Sequence, residues 1–291
     1  MSGKRLLVNA DGYGFTRGLN RGIEEVLENG VVRSISVNAN FDAAWDLKDL
    51  VARHPDVSVG VHLNPVVGRP IADPADVPTL VDTEGYFHWD DFTPRLQRGA
   101  IDLAELAREM GLQIERIQGM VQTVTHLDGH QDRHVWPKFF GVFLDLADRY
   151  GIERMRTHAR LVGMEYERRR TWAARYYATN PRRAAVQLFG RYLMGKARRR
   201  GLRMCDRRLT IDATSEHVRS RMLETWIQVA RACPSGTNEI VCHPGYVDDD
   251  LRRWAKKTLE QREDERRALG DPRLRAAMEE NGIRLITFHD I

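Results

Sequence analysis

The sequence has no uncharged apolar run approaching the roughly 18 residues that a membrane-spanning helix needs, and its mean hydropathy is −0.49. No spanning segment is expected. Met1-Ser2-Gly3-Lys4-Arg5 leads directly into Leu6-Leu7-Val8. A secretory signal would need a longer apolar stretch and a small-residue cleavage site. The expectation is a cytoplasmic protein, with a peripheral place at the inner membrane face as a variant. Cysteine is also scarce. Cys205, Cys233 and Cys242 are odd in number and contain no CxxC pair. That excludes a disulfide framework and a zinc knuckle and predicts reduced, mostly buried thiols. Cys242 precedes His243, but alternation along Ile240-Val241-Cys242-His243 would turn the thiol away from the face that His243 uses.

Charge is plentiful but unevenly spread. The chain of 291 residues has a net charge of +4. Glu153 to Arg208 holds 17 Lys/Arg against 4 Asp/Glu, a local excess of +13, which leaves −9 for the remainder. An acidic body repels nucleic acid, so that partner is not expected. Within the window, the stretch 161–208 interleaves Tyr166, Trp172, Tyr176, Tyr177, Phe189 and Tyr192 with Arg168-Arg169-Arg170, Arg182-Arg183 and Arg198-Arg199-Arg200. It reads as a basic, aromatic-rich helical insertion. It could be a solvated flap or lid, a contact with an anionic membrane, a grip on a phosphorylated substrate, or an oligomer contact such as a homodimer.

Apart from this insertion, strand and helix patterns alternate. Arg5–Ala10, Ser34–Asn38, Val57–Leu63, Thr123–Leu127, Met155–Thr157, Asn238–Cys242 and Arg284–Phe288 read as strands. Helical periodicity recurs from Ile23 to Val31, over Phe41–Arg53, Leu103–Ile117, Lys138–Tyr150, Glu216–Ala232, within Ala255–Leu269 and over Pro272–Asn281. A long loop runs through Gly68, Pro70, Pro74, Pro78 and Gly85. Regular β-then-α order predicts a parallel sheet with right-handed crossovers. The predicted fold class is α/β: one irregular (β/α) barrel domain over 1–291, carrying the insertion at 161–208.

Such barrels put their chemistry at the C-terminal strand ends. Asp11, His62, His130 and His243 all fall at or just beyond such ends. His130 and His134 are four apart, so on a helix both could approach one ion, with His62 completing a three-nitrogen set. Asp128 suits an orienting role, accepting a ligand imidazole N–H. His126 would face away and reads as a core residue. Two imidazoles favour zinc over magnesium, which prefers oxygen ligands.

In this order, several segments resemble the YdjC-like carbohydrate deacetylases. They are Asn9-Ala10-Asp11-Gly12-Tyr13-Gly14, Arg17-Gly18-Leu19-Asn20-Arg21-Gly22-Ile23, Gly60-Val61-His62-Leu63-Asn64, Thr125-His126-Leu127-Asp128-Gly129-His130 and His243-Pro244-Gly245-Tyr246. That group includes chitooligosaccharide deacetylases and hopanoid-biosynthesis HpnK-type proteins, and is similar to NodB-type deacetylases in its irregular barrel of the glycoside hydrolase/deacetylase type. The resemblance implies a metal-dependent hydrolase that removes the acetyl group from an N-acetylated sugar, either an oligosaccharide or a lipid- or polyprenyl-phosphate-linked amino sugar. It assigns Asp11 as general base and His243 as the acid for the leaving amine. His62 and His130 become ligands of one divalent ion, zinc or magnesium, and Asn64 and Tyr246 are taken as substrate contacts. Two positions depart from the family pattern. Gly12 stands where a ligand aspartate is usual, and Asp132 where histidine is usual. Asp132 or His134 could supply the missing ligand, or Asp11 could turn to the metal. The competing expectations are a diverged, non-catalytic carbohydrate-binding relative, for which Gly12 speaks, and a metal-dependent hydrolase of another bond such as a phosphoester.

Overall fold

A computed structural model describes residues 3–161, 178–211, 216–255 and 259–291. Among these described residues eight strands form one parallel sheet: β1 (Lys4–Tyr13), β2 (Ser34–Val37), β3 (Ser58–Leu63), β4 (His126–Gly129), β5 (Arg160–Leu161), β6 (Arg207–Leu209), β7 (Gly236–Cys242) and β8 (Ile283–Ile286). Their order is β4-β3-β2-β1-β7-β6-β5, with β8 also on β1. β1 lends one edge to β7 and divides the other. Lys4–Leu7 pair with β8, and Asn9–Tyr13 pair with β2. Between β4 and β5 the ladder thins to single bridges, Leu127 to Met155 and Arg154 to Arg203. The barrel is therefore open and irregular at that seam, as the α/β reading expected.

The strands form because they are buried on both faces. All six residues of β3 and all four of β2 are buried, as parallel strands covered by helices require. The covering helices follow the predicted alternation: α1 (Arg17–Glu28), α2 (Leu47–Arg53), α3 (Phe92–Arg98), α4 (Leu103–Gln118), α5 (Pro137–Arg149), α6 (Pro181–Arg199), α7 (Glu216–Arg219), α8 (Met222–Ala232), α9 (Asp249–Trp254), α10 (Glu260–Gly270) and α11 (Pro272–Glu280). Two expected helices are divided. Asp42–Asp46 is a 3-10 turn before α2, and α7 and α8 share the single span read over Glu216–Ala232. Residues 162–177 of the basic stretch lie outside the described residues. Its C-terminal part is α6, whose Leu193, Met194 and Ala197 join the main core. The stretch also takes in Arg207 and Arg208, the first two residues of β6, so sheet residues lie at its margin.

Two local contacts fix the rim at the C-terminal strand ends. Thr16 caps α1 by accepting from Leu19 N at 3.2 Å, which starts the helix directly behind β1. A side chain on Gly22 would collide with the Gly245 backbone. Glycine at both positions lets α1 press against the His243-Pro244-Gly245 turn and sets where His243 stands.

Candidate active site

The rim of the strands opens into a cleft of about 710 Å³ lined by Asp11, Gly12, His62, His130, Asp132, Arg156, His243 and Arg262, among others. Asp11 comes from β1, where the pairing with β2 shifts between Asp11 and Tyr13. Gly12 lies in that irregularity at φ +105, a conformation that L side chains rarely adopt. Asn9, two residues earlier and thus on the same strand face, donates to Asp11 Oδ1 at 2.9 Å and to Ser36 Oγ at 2.9 Å. This is the physical content of the Asn-Ala-Asp segment.

His62 leaves β3 with Nδ1 2.7 Å from Asp128 Oδ1. An ionised carboxylate can only accept, so Nδ1 carries the proton and Nε2 faces the cleft, 3.9 Å from Asp11 Oδ2. Burial pushes the His62 pKa down, but Asp128 and Asp11 raise it further, and the net shift is upward. The His130 ring stands edge-on to His62 at 5.5 Å between centroids and lies parallel to Phe15 at 6.0 Å. Burial holds His130 neutral by lowering its pKa to about 3. His243 places Nε2 3.9 Å from Asp11 Oδ2, while its backbone N–H donates to Glu265. Burial lowers its pKa to about 4.

The centre of the site contains a residue that motif reading missed. The Arg156 guanidinium donates to Asp11 through Nη1 at 2.8 Å and also through Nη2, pairs with Asp128, and reaches Glu239 Oε1 through Nε at 3.1 Å. The Met155 bridge to β4 delivers it beside Asp128. Burial alone would raise the carboxyl of Asp11. Arg156, and then His62, more than offset it, so Asp11 is held below its ordinary value. Asp128 shifts the same way for the same reasons. For Glu239 burial wins, and its pKa rises to about 7 despite the guanidinium. A signal existed: Glu239 is an acidic side chain within the buried strand Asn238-Glu239-Ile240 and needs a cation.

The remaining expected site residues lie elsewhere. Gln131 and Asp132 adopt left-handed conformations, φ 53 and 54, so the segment after β4 is not a regular helix. His130 therefore opens to the cleft, while His134 is buried, stacked on Phe143 at 4.8 Å with Nε2 3.0 Å from His158 Nε2. Asp132 lines the cleft but is held by Arg160 and Arg208. Asn64 is buried and shapes its own loop, accepting from Val66 N and Val67 N at 3.1 Å each. Tyr246 donates to Glu25 at 2.7 Å and is covered by Arg266. Neither Asn64 nor Tyr246 lines the cleft. Cys242 is fully buried, and burial raises its thiol pKa well above the ordinary value, so it is no nucleophile.

Asp11, His62 and Asp128 bring ligand-type atoms within 4.8 Å of one another. The Asp128 oxygens, however, are engaged by His62, Ser36 and Arg156. Left without a partner are His62 Nε2 and the neutral His130 ring, which makes no hydrogen bond among the described residues; Asp11 Oδ2 faces the same space but already accepts from Arg156 Nη1 at 2.8 Å, which leaves it one lone pair. Two imidazoles and one carboxylate oxygen around open space fit a transition-type divalent ion.

The family model described as YdjC-like protein matches residues 5–280. A carbohydrate deacetylase of Geobacillus stearothermophilus is 32% identical over 288 residues, covering 98% of this chain and 96% of that protein. The carbohydrate deacetylase of Mus musculus is 30% identical over 305 residues, covering 99% and 94%. Among solved structures, an Enterococcus faecalis protein proposed to be a cellobiose-phosphate cleavage protein superposes with a TM-score of 0.77 at 25% identity, covering 99% of each chain.

Proposed function

This chain belongs to the YdjC-like protein family, and on that premise we propose that it is a metal-dependent carbohydrate deacetylase that hydrolyses the amide of an N-acetylated sugar. One observation carries the reading. The free Nε2 atoms of His62 and His243 both stand 3.9 Å from Asp11 Oδ2. A ligand, a base and a proton carrier thus meet at one rim.

His62 and His130 would hold the ion, with Asp11 Oδ2 facing the same space, and their nitrogen donors favour zinc over magnesium. When bound, a divalent ion polarises the amide carbonyl and acidifies water. Asp128 keeps the His62 tautomer fixed, because its carboxylate accepts from Nδ1. Asp11, held ionised by Arg156, takes the proton of the attacking water. Partial burial, with Arg262 and Arg156 nearby, favours the neutral His243 imidazole, so it receives that proton before passing it to the departing amine nitrogen. Its side chain is 40% exposed, so it can reach a substrate in the cleft.

The test is acetate release from a panel of N-acetylated sugars, set beside phosphoesters. Acetate release that Asp11→Asn and His62→Ala abolish supports the deacetylase. Phosphate release in its place would favour a phosphoester hydrolase, and sugar binding without turnover would favour the non-catalytic relative.

The lipid-linked form of the substrate has separate support. On α6, Leu188 is 66% exposed, Tyr192 60% and Phe189 39%. Leu188, Tyr192, Lys196 and Arg199 share one helical face by their spacing. The helix holds no acidic residue. Exposed apolar and aromatic groups beside cations suit an anionic bilayer surface, whereas a second copy of the same face would meet like charge. We therefore favour peripheral contact of this helix with anionic lipid.

A further inference from the structure

Arg262 is a second buried cation at the site, and nothing in the mechanism above uses it. It lies in the first turn of α10, is 9% exposed and lines the cleft. Its Nε and Nη1 atoms are buried without a hydrogen-bond partner among the described residues. The nearby carboxylates are otherwise committed: Asp11 to Arg156, and Glu265 to the backbone N–H of His243. A buried guanidinium with unpaired donors is costly and persists where a ligand completes it. What lies in front of it is Gly12. A Cβ built there would be 3.8 Å from Arg262 Nη1 and 3.4 Å from Leu19 Cδ1, with no closer atom. The position that presents no carboxylate thus adjoins a cation that Glu265 and Asp11 answer through space but whose Nε and Nη1 no group hydrogen-bonds among the described residues. The first turn of α10 adds its own partial positive charge.

We infer that Gly12 and Arg262 form a receptor for an anionic oxygen group carried by the sugar substrate, a carboxylate or a phosphate. The inference rests on the deacetylase reading for the rest of the ligand and deepens it by naming a charged substrate. The guanidinium fork suits the paired oxygens of either group. Its occupant enters beside Asp11 without strong repulsion, because Arg156 already answers that carboxylate.

The experiment has two arms. In the first, inorganic phosphate and acetate are titrated into the whole protein by calorimetry and thermal melting. The wild type should bind and gain melting temperature. Arg262→Gln should bind about tenfold more weakly or worse, the scale of one lost charge-assisted hydrogen bond. Arg262→Gln and Arg262→Met should also melt higher than wild type without anion, because a buried charge with unbonded donors is gone. A structural arginine would give the opposite shift. In the second arm, acetate release is compared for N-acetylglucosamine, its 6-phosphate and N-acetylmuramic acid. The charged sugars should be preferred through KM, phosphate or carboxylate revealing the source, and Arg262→Gln should bring the ratio close to one. Arg262→Lys, keeping charge but not the fork, should fall between. Equal phosphate and acetate affinity in wild type and Arg262→Gln, or no preference for either charged sugar, overturns the inference. If no sugar releases acetate, the deacetylase reading fails, while the first arm still decides the Arg262 site.

Discussion

Replacing Arg156 with glutamine asks whether charge holds the centre of the site together. The guanidinium side chain is 1% exposed and contacts Asp11, Asp128 and Glu239. Removing one partner of a buried ion pair costs about 3–5 kcal/mol, because the other charge stays behind in a poor solvent. Two carboxylates, Asp11 and Asp128, are held ionised by Arg156 here. Their losses do not simply add, since one stranded carboxylate can take up a proton and relieve the other. A loss of about 3–5 kcal/mol at pH 8 is therefore expected. The pH dependence carries a sign. In the wild type both folded pKa values lie below the ordinary 3.8, so their stabilisation is present above that value and is lost as pH falls through the folded values. In the variant His62 is the main group left opposing burial, so both folded values move up, and that of the carboxylate which takes up the proton rises above its unfolded value. For that group stability is then retained at low pH and lost as pH rises through its folded value. The gap between the two proteins should be widest at about pH 8 and narrow towards about pH 5. Urea titrations at both pH values, followed by tryptophan fluorescence and circular dichroism, measure it. A difference below about 1 kcal/mol at the higher pH, or a gap that widens on acidification, would refute the reasoning.

Three further outcomes follow from the site and the helix beside it. Protein purified without chelators should carry about one divalent ion per chain by elemental analysis, and His62→Ala and His130→Ala should each lose it; unchanged metal content in both variants removes the site. Gly12→Asp should tighten zinc binding in calorimetry, while in the metal-free protein the strain of φ +105, about 1–3 kcal/mol, is opposed by pairing of the new carboxylate with Arg262, so the net loss of stability should be below that range. A fall in both affinity and stability would mean that the backbone at 12, and not the absent carboxylate, governs the site. Liposome flotation should show salt-sensitive binding to anionic vesicles, weakened when Lys196, Arg198 and Arg199 are neutralised together. Arg200 is left intact because it pairs with Asp145 and Asp148. No flotation of the wild type at low salt sinks the membrane contact.

The residues legible in the sequence were those whose position follows from strand parity. Asp11, His62, His130 and His243 each stand at or just past a strand end, and parallel strands share one rim, so local reading carried them to a common cleft. Reading failed where the backbone left regular geometry. The four-residue spacing of His130 and His134 presumes a helix, and the left-handed Gln131 and Asp132 between them send the two rings to different sides. Arg156 was hidden for a related reason. It lies on a seam held by single bridges, where periodicity is too short to show a face. It is also one of the 17 basic residues of the 153–208 window, whose excess of +13 does not single it out. Yet Arg156, Arg160 and Arg208 from that window all reach the cleft, two of them to hold Asp132. Charge counting does not separate inward from outward cations. The carboxylates do: Asp11 and Asp128 flank strand ends, and Glu239 sits inside an apolar strand. Each such group needs an interior partner, whether a cation, a set of N–H donors or a proton. The three buried carboxylates here share one counter-charge, which Arg156 brings in from the seam held by single bridges.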